Sequence, residues 1–424
     1  MSALKFKNPL ASLGENRHQF YWLVLVNAFV GSMVGLERTL LPQIAEQEFH
    51  IAAKSAIFSF IIVFGIVKAF SNFFAGQLAS KIGKKNLQTI GWLFALPVPF
   101  LLMWAPSWSW IIVANIFLGI NQGLTWSVNV MMKIDLAGEE NRGLAMGLNE
   151  FAGYFAISII AFLTGWIAAE YGLRPYPFYL GIVMAFAGLL ISFFVIKDTQ
   201  RFVHAEAAQS TLPRMKSPFL DTTFRNINIS AVTQAGLINN LNDGMIWGLL
   251  PLFLIQKSFS LSNIGIIVAV YPAVWGISQL LTGKLADFFC KKSMLSWGMF
   301  LQGIALVLLA FADGFYSFVL LMALLGWGTA MVYPSFLATV AENAHPLDRD
   351  KSMGIFRLWR DLGYAIGALL TGIIADYYNL EWAILAVAAL TLFSAMVVEQ
   401  RMFCTVKAMK ITPWLLSFWK KKSY

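Results

Sequence analysis

The chain has 424 residues, of which 58% are apolar, 15% aromatic and only 12% charged, against roughly 25% charged residues in a soluble domain. That composition excludes an ordinary soluble enzyme and points to a chain whose apolar residues face lipid. Thirty-one Lys and Arg against 22 Asp and Glu give a net charge of +9, which a soluble protein could direct at nucleic acid; here membrane topology accounts for it, and no nucleic-acid partner is expected.

The apolar residues arrive in blocks of about twenty, the length that crosses a hydrocarbon core of ~30 Å. Read between charged residues and Gly, Pro or Asn breaks, they predict twelve transmembrane helices at 20–43, 56–80, 87–105, 108–132, 143–168, 175–196, 228–256, 262–285, 292–312, 315–341, 352–375 and 381–403. The first runs from Phe20 to Leu41 without a small-residue cleavage site. It is too long for a signal-peptide core and is expected to be retained. The one long polar stretch, Lys197 to Asn228, holds Lys197, Asp198, Arg201, His204, Arg214, Lys216, Asp221 and Arg225. It divides the chain into a six-helix bundle at 1–196, a central loop at 197–227, a second six-helix bundle at 228–403 and a basic tail at 404–424.

Placing the N-terminus inside assigns Lys5, Lys7, Arg17, Lys81, Lys84, Lys85, Lys133, Arg142, the cations of the central loop, Lys284, Lys291, Lys292, Arg349, Lys351 and the basic tail to the cytoplasm. Only Lys54, Arg174 and Lys257 then fall outside, and Arg38, Lys68, Arg357 and Arg360 stay within spans. This positive-inside bias predicts a multi-pass protein of the cell (inner or plasma) membrane with both termini cytoplasmic. Cys290 and Cys404 fall on that reducing side, where no disulfide is expected.

Laying the second half on the first exposes matches at a single shift of 207 residues. Gly76, Leu78, Ala79, Lys84 and Lys85 fall on Gly283, Leu285, Ala286, Lys291 and Lys292; Leu118 and Gly119 on Leu325 and Gly326; Met146 and Gly147 on Met353 and Gly354; Thr164 and Gly165 on Thr371 and Gly372. Asp135 corresponds to Glu342 and Arg142 to Arg349. The halves are parallel structural repeats, as in transporters that rock around a midplane site.

With that repeat in view, the chain resembles the major facilitator superfamily along essentially its full length. The turn between spans 2 and 3, from Gly76 through Gly83 to Lys84-Lys85, is similar to that family's signature, with Ser80 where an acid is expected; the second copy keeps the acid as Asp287 but has Cys290 in place of the glycine. Asn115 stands where many proton-linked members carry arginine, and Gly153 is followed by Tyr154 rather than by the proline of many drug antiporters. The resemblance implies an all-α membrane protein of twelve helices in two six-helix repeats, the major-facilitator fold, and alternating access. No phosphate-binding glycine loop, His-Glu-x-x-His run or Cys/His cluster is present. A secondary carrier rather than an enzyme is therefore expected, driven by a proton or other ion gradient, with no cofactor and no metal. A small-molecule solute, membrane lipids around it and a monomeric state complete the expectation.

A charge near the bilayer centre costs about 2.5 to 3.5 kcal/mol or more, so ionisable residues within spans are functional candidates. Glu37 in span 1 reads as a proton-accepting carboxylate beside Arg38, which either faces the cavity or snorkels to the interface. Lys68 is midway along span 2, where snorkelling would have to cover ~18 Å, so it faces a cavity or a carboxylate. Glu150 falls on Arg357 at the 207 shift, which suggests a gate that Arg360 and Asp361 extend. Trp126 and Tyr333 are equivalent in the repeat and, with Asn121 and Gln122, are candidates for contact with a solute.

In the resembled family helices 1, 4, 7 and 10 line the central cavity, which would put Asn239, Asn240, Asp243 and Trp247 on its wall. The resemblance also implies that Asp287 sits against the N-terminus of span 5 at Arg142 and Gly143, where a helix dipole favours an anion. Gly76, Gly83 and Gly283 belong to the same gate, and Ser80 should make the matching latch on span 11 weaker. The reading that follows is a secondary transporter of a small polar, anionic organic solute, coupled to protons through Glu37, Asp243 or Glu150. A proton-driven exporter of drugs or metabolites and a non-transporting receptor are the other readings.

Overall fold

The computed structural model describes residues 16–404 apart from Thr39, Ala52, Glu139 and Glu140, and leaves the side chains of Arg38, residues 53–58, Leu261 and Ser262 undescribed. Arg38 as a cavity residue and the basic tail beyond Cys404 thus lie outside the described residues. In the first half, α1 covers Arg17–Arg38 and resumes as Leu41–Gln47, α2 covers Ala53–Ile82, and α3 covers Lys84–Ala95 and continues as Pro97–Met103. Then come α4 (Trp108–Ala137), α5 (Arg142–Tyr171) and α6 (Tyr179–Phe194). The second half has α7 (Ile227–Gln256), α8 (Leu261–Phe288), α9 (Lys291–Ala310), α10 (Phe315–Asn343), α11 (Pro346–Tyr377) and α12 (Leu380–Arg401).

Among the described residues, eleven of these helices are long and apolar enough to cross a membrane. The remaining one, α7, falls short because Asn239, Asn240, Asn242 and Asp243 occupy its middle, all fully buried in the protein. Helix starts follow local chemistry: the side chains of Asn226, Ser260 and Asn379 accept hydrogen bonds from the backbone of Ile229, Asn263 and Trp382 at the heads of α7, α8 and α12. Pro42 and Pro97 sit in the first turns of the second pieces of α1 and α3. Proline lacks the N–H donor of the helix ladder and its ring crowds the preceding turn, and at these two places the expected single spans, 20–43 and 87–105, are each divided into two pieces.

The halves repeat one another in packing. Gly31 lies against Gly153 where α1 crosses α5, and Gly244 lies against Tyr364 where α7 crosses α11. Gly119 meets Val67 and Gly326 meets Tyr271, which joins α2 to α4 and α8 to α10. Large exposed apolar side chains, among them Phe162, Leu190, Ile277 and Phe393, cover the outside, as expected of a lipid-facing surface.

Two sequence expectations need correction. The central stretch contains a helix, Gln200–Ala207, because Phe202 and Val203 are both buried and anchor it against the bundle. Cys290 and Cys404 are joined, with Cα atoms 5.8 Å apart, so the residues after α12 are fastened to the turn between α8 and α9. That pairing is within ordinary disulfide reach and overturns the expectation of no disulfide.

Candidate functional site between the two halves

Call the end of the bundle that carries the central segment and the α2–α3, α4–α5, α8–α9 and α10–α11 turns the basic face. There the halves are pressed together. A Cβ on Gly76 of α2 would lie 2.8 Å from the Cα of Gly354 on α11, and a Cβ on Gly283 of α8 would lie 2.8 Å from the Cα of Gly147 on α5. These crossings are the same pair under the 207 shift, and only glycine allows the backbones so close.

Charges reinforce both crossings. Asp287 accepts hydrogen bonds from the backbone N–H groups of Gly143 (2.7 Å) and Leu144 (3.0 Å), the first turn of α5, where unpaired donors and the helix dipole favour a carboxylate. In the other copy Ser80 cannot do this, and Lys84 takes the role, 2.5 Å from Asp135 and 3.0 Å from Asp350 of α11. The expected weak latch is thus replaced by an ion-pair network. Arg142 and Arg349, equivalent under the repeat, both bind Glu206 of the central helix, Arg142 Nη2 at 2.5 Å and Arg349 Nη1 at 2.8 Å. The two guanidinium groups hold the Glu206 carboxyl well below its ordinary range, at about 2, against the opposing effect of burial. Gly83, with φ +89°, starts α3 where Asp198 caps it through the Lys85 N–H at 3.0 Å.

Above this closure a cavity of about 790 Å³, counted with the open space at its mouth, faces the opposite end of the bundle. Its walls include Val34, Phe60, Ile61, Phe64, Leu118, Ile157 and Trp247, with Asn115 also present; Lys68, Trp126, Tyr154 and Tyr364 form the floor. Among the described residues its lining has one cation, Lys68, and one carboxylate, Glu37. The Lys68 ammonium sits 5.5 Å from the Phe64 ring and 5.4 Å from the Trp126 ring, a cation–π setting. It lies 3.8 Å from Asp361 on α11.

Asp361 is the hub of the layer behind the floor. It accepts from Asn72 (2.6 Å), Asn240 (3.2 Å) and Arg360 Nε (2.7 Å), and Ser127 donates to Asn72 in turn. Tyr333 donates to Asn240 at 3.1 Å, and Arg360 lies over the Tyr333 ring at 5.5 Å. Asp243, next to the lining residue Gly244, accepts from Tyr271 and, at 3.4 Å, from Tyr364. Glu150 accepts from Trp126 at 3.2 Å and Asn149 at 2.7 Å. Both bonds are accepted by Oε1, and no ion pair among the described residues joins Glu150 to Arg357.

The candidates therefore separate. Glu37, Lys68, Trp126 and Trp247 face the cavity; Asn240, Tyr333, Arg360 and Asp361 form the layer behind its floor; Gly76, Gly83, Arg142, Gly283 and Asp287 lie at the basic face. Asn121 and Gln122 point away and bind the backbone of Gly91 and Val30, and Asn239 is buried outside the cavity lining. Sequence reasoning missed Lys133, Asn72, Tyr271 and Glu206. Lys133 looked like a loop cation, but α4 continues to Ala137 and buries it fully, with its ammonium 2.6 Å from Asn149.

The family model described as Major Facilitator Superfamily matches residues 23–230 and 232–406. The multidrug resistance protein MdtG of Salmonella arizonae is 23% identical over 86% of this chain and 90% of its own, and that of Salmonella paratyphi C is 23% identical with the same coverage. The crystal structure of the human organic anion transporter MFSD10 superposes with a TM-score of 0.75 at 14% identity over 90% of this chain and 99% of the other. The transporter FucP in its outward conformation gives 0.73 at 14% identity, over 91% and 98%. These matches and the paired six-helix halves closed around a central cavity place the chain in the major facilitator superfamily, as a membrane transport protein and not an enzyme.

Proposed function

We propose that the protein is a secondary active transporter that moves an amphipathic organic anion by alternating access, with protons as the coupling ion. The single observation that carries this reading is Lys68: a buried ammonium at the floor of an otherwise largely apolar, aromatic cavity, 3.8 Å from its carboxylate and therefore without a tight ion pair. A carboxylate or sulfonate on the solute would complete the charge, and its apolar body would rest on Phe60, Phe64 and Trp247. The walls favour a solute with an apolar portion over a wholly polar one. The superposition on an organic anion transporter supports the same class.

Glu37 shares the cavity with Lys68. Protonating it removes the one negative charge from the described lining, so proton binding and anion binding reinforce each other, and the two travel together. We place the basic face in the cytoplasm, with both termini there, in the cell membrane; the structure is then the state open to the outside. Export of drugs is the second reading, favoured by the apolar walls and by the multidrug relatives.

The test is counterflow in proteoliposomes with 1-naphthalenesulfonate, an anion that keeps its charge at all working pH values. We expect Lys68→Gln to lower its counterflow about tenfold, the loss of one charge-assisted contact, while leaving the amount of folded protein unchanged. Undiminished counterflow in Lys68→Gln would contradict the reading.

A further inference from the structure

One helical turn below the floor, each of the four gate helices contributes a polar residue to a sealed layer. Asn72 of α2 is four residues from Lys68 and four from Gly76; Gln279 of α8 is four from Trp275 and four from Gly283; Glu150 of α5 lies between Gly147 and Tyr154; Arg357 of α11 lies between Gly354 and Asp361. The layer therefore sits between the cavity floor and the glycine crossings, and all four residues are at most 1% exposed. Under the 207 shift Asn72 pairs with Gln279 and Glu150 with Arg357.

The two halves fill this layer unequally. Asn72 and Glu150 have partners, as described above. Neither Nε nor Nη1 of Arg357 has a hydrogen-bond partner, and both amide atoms of Gln279 are likewise unpartnered. No ion pair among the described residues includes Arg357, although it feels the charges of Arg360, Asp361 and Glu150. A buried, incompletely bonded guanidinium is strongly unfavourable, and its planar fork of donors matches a carboxylate or sulfonate. Opening of the basic face must part the glycine crossings, and the first layer that opening reaches is this one.

We propose that Arg357, with Gln279 in the same layer, is a second anion-binding site, used when the basic face is open: it receives the acidic group that Lys68 holds when the opposite face is open. This rests on the anion reading above and adds a site to it. The solute thus passes between two cations on different halves, Lys68 on α2 and Arg357 on α11, and no single conformation holds it on both.

The test has two parts. In a Cys290→Ser, Cys404→Ser background, Arg357→Cys is reconstituted and treated with a membrane-impermeant maleimide from each side. Labelling is expected from the basic face, faster with Asp287→Asn added and slower with 1-naphthalenesulfonate present; no labelling from that face overturns the proposal whatever the solute. Second, 1-naphthalenesulfonate binding and counterflow are compared for wild type, Arg357→Gln and Arg357→Lys. Arg357→Gln should bind the anion at the opposite face within about twofold of wild type yet lose about tenfold in counterflow, equivalent to about 1.4 kcal/mol, and Arg357→Lys should recover part of it. Wild-type counterflow in Arg357→Gln, or equal loss of binding and counterflow, overturns the second site while leaving Lys68 in place. A wild type that neither binds nor moves the sulfonate overturns the anion reading itself, and this proposal with it.

Discussion

The Lys68 ammonium is 3.8 Å from Asp361, whereas three other donors reach that carboxylate at 2.6 to 3.2 Å. Asp361 is therefore satisfied without the lysine, and a solute anion can draw Lys68 away without leaving a buried carboxylate bare. Asp361→Asn should consequently damage folding or the amount of membrane protein, measured by fluorescence-detected size exclusion, more than Lys68→Gln does. Glu206 behaves differently. Its folded pKa of about 2 lies below the ordinary 4.5, so its contribution to the clasp is fully present above about 4.5 and is lost only as pH falls toward 2. Between pH 5 and 8 the clasp stays charged, and Glu206→Gln should change the transport rate without changing the shape of its pH profile; a displaced profile would make Glu206 a titrating group of the cycle. Lys68 was legible because its distance from both ends of an apolar span forbids snorkelling. Glu206 was not, since a charge in a polar loop carries no periodicity, and Arg142 and Arg349 reveal their shared partner only in three dimensions.

At the level of elements, the basic face closes through two glycine crossings and two unlike electrostatic latches. A methyl group at Gly76 would meet the carbonyl oxygen of Asp350 at 2.5 Å, and one at Gly283 would meet that of Gly143 at 2.8 Å. Backbone cannot yield as a flexible side chain does, so Gly76→Ala and Gly283→Ala should each destabilise the closed face by about 1 to 3 kcal/mol. Faster amide hydrogen exchange over 346–354 in the first and over 142–147 in the second is the expected result; unchanged exchange would show that the crossings do not hold the face shut. Asp287→Asn removes a charge from the head of α5 and should lower transport while membrane levels stay near wild type, since contacts of this kind contribute about 0.3 to 2 kcal/mol. The glycines were visible in the sequence as a repeat. The Lys84–Asp135–Asp350 latch was not, because Ser80 pointed to a missing contact and the replacement comes from a lysine that topology alone had placed in a cytoplasmic turn.

Over the whole molecule, the twelve spans and the two-fold repeat were readable because lipid imposes a strong pattern: apolar lengths, basic turns and glycines at matched positions. The repeat even foretells geometry, since Gly76 meets Gly354 while Gly147 meets Gly283. What the pattern could not deliver is which polar residues see the cavity. Asn121, Gln122 and Asn239 carry amides like Asn115, but the first two bond to neighbouring helices and Asn239 is buried outside the cavity lining, a matter of helix rotation that a uniformly apolar helix leaves unspecified. The proposed roles fall where the halves depart from symmetry, with Lys68 opposite Trp275 and Arg357 opposite Glu150. The most direct test of the account compares two solutes of similar size and opposite charge, 1-naphthalenesulfonate and N-methylquinolinium, in proteoliposomes with and without a pH gradient. The account predicts that the sulfonate moves, faster with the gradient, and that the quinolinium does not. Gradient-driven movement of the quinolinium with none of the sulfonate would contradict it.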